Sequence, residues 1–352
     1  MNNTKRIILA VCVTFLAVVC ASIYLIKSPS IHPQSQIEQD SLQPEVVQSS
    51  PLNSDSEYTN KFSQLDKKPS VRKPSLIPLS ELNLSDAVQD IVNLSHKKAG
   101  YNEYRDAMRK LTRNLSPDDT SALMSFLNKK ASDHSYMRPI AFNGVKNDVL
   151  DVLMRQEVLP KGFGVQLAEM YNDKSFDTMW RDYCVQFITN YYERRWIYSN
   201  SAQTVSETND SETGMKKEAI EAVYWDAIKE IDTTIAGTAL LGLTSIARTG
   251  ADIDRKRIKK AVEDILAEPA CGEPTRITAL RLAGSLGCDK ILPEARIIAQ
   301  IGETITLRMA AIATIGDLGT ADDIELIESL KADKEPRIRA IASKSLNKLM
   351  KG

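Results

Sequence analysis

The sequence predicts an all-α chain in which paired helices stack into an α-solenoid after an N-terminal transmembrane helix and a disordered spacer. Three observations support this prediction. Residues 7–26 form an apolar run without a charged residue. Residues 28–78 are rich in Ser, Pro and Gln and show no persistent apolar period. The C-terminal third repeats an arginine-led amphipathic helix, and strand signals are nearly absent after Pro78.

The first element is a membrane anchor, residues 1–27. At about 1.5 Å per residue, a helix over residues 7–26 spans about 30 Å, the thickness of a bilayer core. Lys5 and Arg6 precede the run and Lys27 follows it. This charge distribution predicts a cytoplasmic N-terminus and an extracytoplasmic C-terminal part, periplasmic if the chain is bacterial.

Two alternatives to an uncleaved anchor stay open. Cleavage of a signal peptide near Ala21 would release the chain as a secreted protein, although the apolar run continues to Ile26, beyond the usual length of such a segment. Lipid modification of Cys20 is the other alternative, but the bulky Val19 before it resembles the bacterial lipoprotein signal poorly.

Composition divides the rest of the chain. Residues 28–78 cannot bury enough apolar surface to offset their ordering entropy and are predicted to be a disordered spacer. Residues 79–198 carry amphipathic helices with short connectors, and residues 199–213 form a polar loop. Residues 214–352 contain the repeats. The loop is therefore the predicted boundary between two helical regions.

Helix boundaries are marked by capping residues. Asp86 opens a helix, Ser116 is an N-cap followed by proline, and Asp177 caps the long helix after it. Gly287 and Gly319 fit the C′ position, where a left-handed backbone ends a helix at no steric cost.

The strongest signal is the internal repeat. Three segments beginning at Thr275, Leu307 and Ile338 align without gaps, and each carries an arginine three residues before an alanine. Apolar residues around them form one wide stripe at the helical period, and alanine lets a second helix approach closely. A two-helix unit of this length cannot bury its apolar face alone, so the copies must stack. The repeated residues are Arg276, Ala279, Arg308, Ala311, Arg339 and Ala342.

These segments resemble the HEAT-repeat family, whose second helix typically begins Val-Arg-x-x-Ala-x-x-Ala-Leu-Gly. The resemblance covers residues 234–352 and implies a solenoid whose second helices line a concave groove. It also implies an aspartate six residues before each arginine, which forms a ladder between neighbouring repeats. Asp333 stands six residues before Arg339, whereas Gly302 and Ala270 occupy the other two positions. We therefore expect an incomplete ladder.

The repeat arginines allow two interpretations. Arg276, Arg308 and Arg339 could line a surface that binds acidic ligands. Alternatively, each arginine bridges adjacent repeats, which is the role that the family resemblance implies and the one we favour.

Aromatic and basic residues concentrate near residue 190. Tyr192 and Trp196, with Arg194 and Arg195 beside them, form a candidate partner-binding patch, either a hot spot or a stacking platform. The alternative is a second packing face of a central helix contacted on both sides. The opposite face is predicted to be core and comprises Trp180, Cys184, Phe187, Ile188 and Tyr191.

The cysteines are predicted to be structural. Cys184 could be a thiol nucleophile, but it lies on an apolar helix face without a recognisable cysteine–histidine motif, so a core role is favoured. Cys271 and Cys288 flank one helix of about 12 residues, which separates them by near 18 Å. A disulfide needs Cα atoms within about 7 Å, so we expect no bridge.

Composition also narrows the possible functions. Lys and Arg total 45 against 46 Asp and Glu, whereas a dedicated nucleic-acid binder normally carries a basic excess. The chain has three histidines and no recognisable catalytic or phosphate-binding motif. We therefore predict no catalytic residue, no cofactor and no metal site.

The favoured function is that of a membrane-tethered, exported scaffold or adaptor that binds a protein or peptide partner in its concave groove. A HEAT-like nucleic-acid-binding protein or glycosylase-like enzyme is the alternative, and the near-zero net charge and the export signal both oppose it. An extracytoplasmic hydrolase without a recognisable active site is a third possibility. The sequence does not predict the oligomeric state or the identity of the partner.

Overall fold

All regular structure in the described part of the chain is helical. The computed structural model describes residues 79–94, 99–130, 132, 137–198 and 215–351, and no strand occurs among them. The all-α prediction is therefore confirmed for these residues. The predicted anchor (7–26), spacer (28–78) and polar loop (199–213) lie outside them. None of the described helices is both long enough and apolar enough to cross a membrane.

The α-helices follow one another with short connectors. A 3-10 turn (Leu79–Glu81) precedes the first α-helix, and a π-helical turn (Glu193–Tyr198) extends the sixth. Further 3-10 turns, Asp289–Ile291 and Ala321–Asp323, lead into α11 and α13. The helices are α1 (Asp86–Leu94), α2 (Tyr101–Met108), α3 (Pro117–Leu127), α4 (Pro139–Met154), α5 (Phe163–Asn172), α6 (Thr178–Tyr192), α7 (Lys217–Ala227), α8 (Ile235–Arg248), α9 (Arg255–Ala267), α10 (Glu273–Leu286), α11 (Leu292–Ile301), α12 (Ile305–Leu318), α13 (Ile324–Leu330) and α14 (Pro336–Leu349).

The helices pack as consecutive pairs. Each odd-numbered helix contacts the even-numbered helix that follows it, from α1 with α2 to α13 with α14. Each even-numbered helix also contacts the next even-numbered one, so α2, α4, α6, α8, α10, α12 and α14 form a continuous row. The even-numbered members are called second helices below. The contact of α6 with α8 continues the row across the predicted loop, and all these helices belong to one unit, Lys73–Gly352.

Small residues let the second helices approach one another. Ala279, Ala311 and Ala342 are fully buried in α10, α12 and α14. A Cβ atom added to Gly316 of α12 would lie 2.6 Å from the side chain of Ser345 in α14. That distance is shorter than real contacts allow, so the row of second helices depends on small residues at these positions.

Buried hydroxyl groups tie the same helices together. Thr314 Oγ1 donates to Leu280 O of α10 at 2.8 Å, and Ser345 Oγ donates to Ile312 O of α12 at 3.0 Å. Both hydroxyls are buried, and a buried hydroxyl without a partner costs free energy. The hydrogen bonds therefore favour this register between successive second helices.

Most predicted helix ends are confirmed. α1 begins at Asp86, Ser116 Oγ accepts from Asp119 N, and Asp177 caps α6 through Trp180 N. Gly287 adopts the predicted left-handed conformation at the end of α10, with φ of 70°.

The prediction of a left-handed backbone at Gly319 is wrong. Gly319 ends α12 with φ of −67° and ψ of 169°, an extended conformation open to other residues. Space, not backbone conformation, excludes a side chain there. A Cβ atom would lie 2.5 Å from Ile315 O and 2.8 Å from Asp323 Oδ2.

Candidate functional site

Arg308 bridges adjacent helical pairs, as the second interpretation of the repeat arginines predicts. Its Nη2 lies 2.6 Å from Asp333 Oδ2, and its Nε donates to Ala299 O at 2.9 Å. Both charged side chains are largely buried. The hydrogen bond from Arg308 lowers the pKa of Asp333 below its usual value. The aspartate six residues before Arg339 thus binds the arginine of the preceding pair.

Neither of the other two repeat arginines makes an ion pair with an aspartate within the described ranges. Arg276 donates to Glu268 O at 3.0 Å, and its Nη1 lies 3.8 Å from Glu294 Oε1 in α11. Arg339 donates to Asp333 O at 2.9 Å and to Lys334 O at 3.1 Å, within its own pair. All three arginines therefore bond carbonyl groups in the last turn of the preceding helix or just after it, whereas only Arg308 forms a close ion pair with the next helical pair.

Arg181 in α6 is a fourth arginine of this kind, which the repeat pattern did not predict. Its Nε donates to Tyr171 O at 2.8 Å, and its Nη2 pairs with Glu230, beyond the end of α7. Burial raises the pKa of Glu230, but hydrogen bonds from Arg181 and Lys174 outweigh burial and lower it below its usual value. Arg181 lies four residues after its N-cap, Asp177, and three before Cys184. Because cysteine replaces the alanine, the repeat pattern is hard to see there.

The residues of the predicted aromatic patch do not form one exposed surface. Tyr192 is only 4% exposed, so its ring packs in the interior and does not belong to an exposed surface. Trp196 is half-buried, with its ring 4.9 Å from the Tyr192 ring and 6.1 Å from the Tyr191 ring. The guanidinium of Arg195 lies 5.4 Å from the Trp196 ring. These contacts reduce the surface that a partner can reach, and the partner-binding role stays a prediction.

The predicted core face of α6 is confirmed. Cys184 is fully buried, and burial raises the pKa of its thiol far above the usual value, which makes it a poor nucleophile. Cys271 and Cys288 are both free, so the prediction of no bridge is confirmed. The buried residues of this face are Trp180, Cys184, Phe187, Ile188 and Tyr191.

Arg194 contacts the edge of a site that the sequence did not predict. Its guanidinium donates to the backbone carbonyls of Met154, Gln156 and Glu157 in the connector after α4. That connector is the floor of an open groove with two arms, which we call the arginine groove. The cationic arm, of about 470 Å³, is lined by residues that include Tyr101, Arg105, Arg109, Arg113, Asp148, Asp151 and Arg155. The apolar arm, of about 490 Å³, is lined by residues that include Leu115, Pro117, Met124, Val158, Leu159 and Pro160.

Hydrogen bonds of the Gln156 side chain stabilise the floor of the groove. Gln156 is 4% exposed and lines both arms. Its Nε2 donates to Thr112 O at 3.2 Å and to Val152 O at 3.0 Å, and its Oε1 accepts from Leu115 N at 2.9 Å. With every polar atom of the side-chain amide bonded, Gln156 holds the connector after α2 against the end of α4.

The cationic arm has more guanidinium groups than carboxylates paired with them. Arg109 pairs with the exposed Asp106 at 3.0 Å, and Arg155 pairs with Asp151 at 2.7 Å. Arg105 and Arg113 are exposed and make no ion pair with any residue in the described ranges. Two guanidinium groups in this arm therefore remain available to an anionic ligand.

A hydrogen-bonded tyrosine and aspartate lie beside these arginines. Tyr101 donates to Asp148 Oδ2 at 2.6 Å. Burial, together with this hydrogen bond, raises the pKa of Tyr101 to about 12, and burial raises the pKa of Asp148. Since Tyr101 stays protonated at neutral pH, its hydroxyl can donate to the Asp148 carboxylate and fix the positions of both side chains.

The guanidinium groups of the cationic arm can bind an anionic group. No group of His, Cys, Asp and Glu within the described ranges could hold a metal ion. Comparison with protein-family models and with curated proteins matched none of them to this chain. We therefore infer the function from the geometry of the described residues.

Proposed function

We propose that this chain is a non-catalytic scaffold or adaptor of the HEAT-repeat type. In this proposal an α-solenoid is tethered to the membrane through residues 7–26, with its helical part exported, and it binds a protein or peptide partner in a concave groove. The observation that carries the proposal is the continuous row of second helices from α2 to α14. Units that contact mainly their sequence neighbours present a long surface to partners.

Contacts between pairs support the same proposal. Arg308 with Asp333, and Arg181 with Glu230, each join one helical pair to the next. Repetition of the same kind of contact is typical of solenoids, in which each unit is stabilised by its neighbours. The two contacts occupy equivalent places, since each arginine lies in a second helix and each acid lies in the connector before the next second helix.

The second helices also expose residues at a repeated register. Gln186, Arg281 and Lys344 stand five residues after Arg181, Arg276 and Arg339, and all three are exposed. Equivalent positions on successive helices of a row lie on the same side of that row. This side is where we place the partner.

A nucleic-acid-binding or glycosylase-like function is the second candidate, and the guanidinium groups of the arginine groove are the observation that favours it. Such a site would be cationic throughout, because phosphate contacts dominate affinity for nucleic acids. Here the adjacent arm is apolar and the whole chain is nearly neutral. We therefore rank it below a protein or peptide partner.

Site-directed photocrosslinking in the native envelope tests the proposal. A photoreactive residue replaces Arg281 or Lys344 in the intact, anchored chain, and the control position is Ile297 on α11, which is 58% exposed. We expect one stoichiometric protein to crosslink at the second-helix positions and not at Ile297. Equal crosslinking at all positions, or no protein product together with turnover of a substrate, would contradict the scaffold function.

Fractionation of the same cells tests the location separately. An exported, anchored chain is expected in the membrane fraction, and its helical part should be accessible to protease only from the extracytoplasmic side. Recovery with nucleic acid in the cytoplasm would favour the second candidate.

A further inference from the structure

The arginine groove lies at the connectors of the first helical pairs, apart from the repeated register that carries the proposed function. Its cationic arm is formed by α2, the connector after it and the end of α4. Its apolar arm continues over the start of α3 and the connector before α5. Arg113 and Gln156 line both arms, so the two arms are adjacent.

The charge of the cationic arm determines the class of ligand. Neither Arg105 nor Arg113 makes an ion pair within the described ranges, whereas Arg109 and Arg155 each make one. The Asp148 carboxylate, which lines the same arm, acts electrostatically on Arg105 without pairing with it, so the arm keeps more guanidinium groups than carboxylates. A guanidinium group binds a carboxylate through two parallel hydrogen bonds, a geometry that a lysine cannot reproduce. Because the chain as a whole has a formal net charge of −1, this cationic concentration is a local property.

The apolar arm adds a second requirement. Val158 is 82% exposed, the most exposed large hydrophobic residue of the described chain, and it stands beside Leu159. Leu115 and Met124 line the same arm. An apolar side chain of a ligand would remove Val158 from water, and burial of apolar surface favours binding.

The floor of the groove is prepared for binding. Arg194 bonds the backbone carbonyls of residues 154, 156 and 157, the Gln156 side chain bonds Thr112 O and Leu115 N, and Glu157 N donates to Arg113 O at 3.0 Å. A ligand therefore does not have to order this connector, and binding energy is not spent on that ordering.

We propose that the arginine groove is a recognition site for an acidic peptide segment of a partner protein. One or two carboxylates of the segment bind Arg105 and Arg113, and an apolar side chain next to them packs on Val158 in the apolar arm. This inference goes beyond the proposed function, because the groove is distinct from the register of exposed residues on the second helices. A nucleic-acid strand fits less well, since the apolar arm offers no aromatic ring for stacking and its cations, Arg113 and Lys161, are accompanied by the carboxylate of Glu157.

Peptide selection on the full-length chain in detergent micelles tests this site. The probe is a displayed pool of random linear peptides, and the enriched peptide is then labelled with fluorescein for anisotropy measurements. We expect enriched peptides to carry Asp or Glu next to a large apolar residue. Arg105→Glu, Arg113→Glu and Val158→Asp should each weaken binding by about tenfold or more, because each removes one of the predicted contacts.

Arg248→Glu is the matched control, since Arg248 is exposed at the end of α8 and far from the groove in sequence. It should leave the affinity unchanged, and all four variants should keep the thermal unfolding of the parent chain because the altered side chains are exposed. Enrichment without acidic residues, or equal affinity for the parent chain and the Arg105→Glu and Arg113→Glu variants, would overturn the proposal.

Two other occupants are distinguished by the same assay. A single-stranded oligonucleotide that displaces the peptide at lower concentration than the unlabelled peptide would assign the groove to nucleic acid. Residues 28–60 of this chain are acidic and contain no Lys or Arg. If neutralising their carboxylates increases peptide affinity, this segment occupies the groove in place of a partner, which also overturns the proposal. The residues neutralised are Glu38, Asp40, Glu45, Asp55 and Glu57.

Discussion

Buried acids stabilise the C-terminal pairs through arginine. Asp323 is 1% exposed, and its two carboxylate oxygens accept from Arg296 Nε at 2.6 Å and Nη2 at 3.0 Å. Asp323 Oδ2 also accepts from Thr320 N at 3.0 Å. The hydrogen bonds from Arg296 lower the pKa of Asp323 below its usual value. One residue therefore caps the 3-10 turn before α13 and joins it to α11.

We predict that Asp323→Asn lowers the free energy of unfolding by about 1.5–3 kcal/mol at pH 7, the range for hydrogen bonds to charged groups. Because the pKa of Asp323 is lower in the folded chain than in the unfolded chain, its contribution is complete above the unfolded value of about 3.9. The contribution is lost as the pH falls through the lower folded pKa. Urea unfolding at pH 7 and at pH 3, followed by circular dichroism, should show a smaller difference at pH 3.

The control for this prediction is Asp322→Asn. Asp322 is exposed and its carboxylate makes no ion pair within the described ranges, so we expect a change of less than about 0.5 kcal/mol. A difference between parent and Asp323→Asn that stays constant from pH 7 to pH 3 would contradict the pKa argument.

Thiol reactivity provides another prediction for individual residues. Cys184, Cys271 and Cys288 are free and buried, and burial raises the pKa of each thiol, that of Cys288 to about 11. Since the thiolate is the reactive form, none should react with maleimide in the native chain at pH 7, and all three should react after denaturation. Mass spectrometry of labelled peptides assigns each site. Rapid labelling of Cys184 in the native chain would contradict this prediction and support the hypothesis that Cys184 is a nucleophile.

At the scale of helices, the distance between neighbours depends on single small residues. Gly316 is buried between α12 and α14, whereas Gly144 in α4 meets only Tyr101 Cε2 at 3.5 Å, an ordinary contact. The two glycines therefore separate the effect of crowding from the effect of helix propensity.

We predict that Gly316→Ala destabilises the chain by about 1–3 kcal/mol, because the added methyl group would overlap Ser345. Gly144→Ala should stabilise it by about 0.5–1 kcal/mol, because alanine favours the helix and nothing crowds its methyl group. Chemical denaturation of both variants measures the difference. Stabilisation by both substitutions would show that α12 and α14 are not in close contact.

At the scale of the whole helical region, stacking predicts that the chain tolerates loss of its last pair. A chain ending at residue 319 lacks α13 and α14. It exposes the face of α12 that contacted Ser345 and leaves Arg308 without Asp333. We expect the remaining helices to stay folded with a lower melting temperature, and the exposed face to cause self-association.

Circular dichroism and light scattering on this truncated chain measure helix content and mass. A chain lacking only residues 351–352 is the control and should remain unchanged in both. Loss of nearly all helical signal in the longer truncation would indicate one cooperative core in place of stacked pairs.

Several details of the fold could be predicted because they depend on neighbouring residues. The caps at Ser116 and Asp177 and the left-handed Gly287 follow from local hydrogen bonding and backbone geometry. The end of α12 could not be predicted in this way. Glycine is required at position 319 because Ile315 O and Asp323 lie too close to leave room for a side chain. The position of Asp323 depends on the path that the chain takes after α12.

The candidate site was the least predictable part. The repeat spacing drew attention to Arg276, Arg308 and Arg339, but their bonding partners lie in neighbouring loops and pairs. The arginine groove combines connectors about 40 residues apart in sequence, and neither connector carries a motif. Arg194 was the one candidate site residue near the groove, and the sequence predicted it as part of the aromatic partner-binding patch.

The sequence by itself determined the helical class of the described chain, the register of the arginine repeat and most capping residues, because hydrophobic period and local hydrogen bonding act over a few residues. The tertiary structure decided which acid each arginine binds, why Gly319 must be glycine, and where cationic and apolar surfaces meet. Those properties depend on distances between segments far apart along the chain, which local periodicity does not encode.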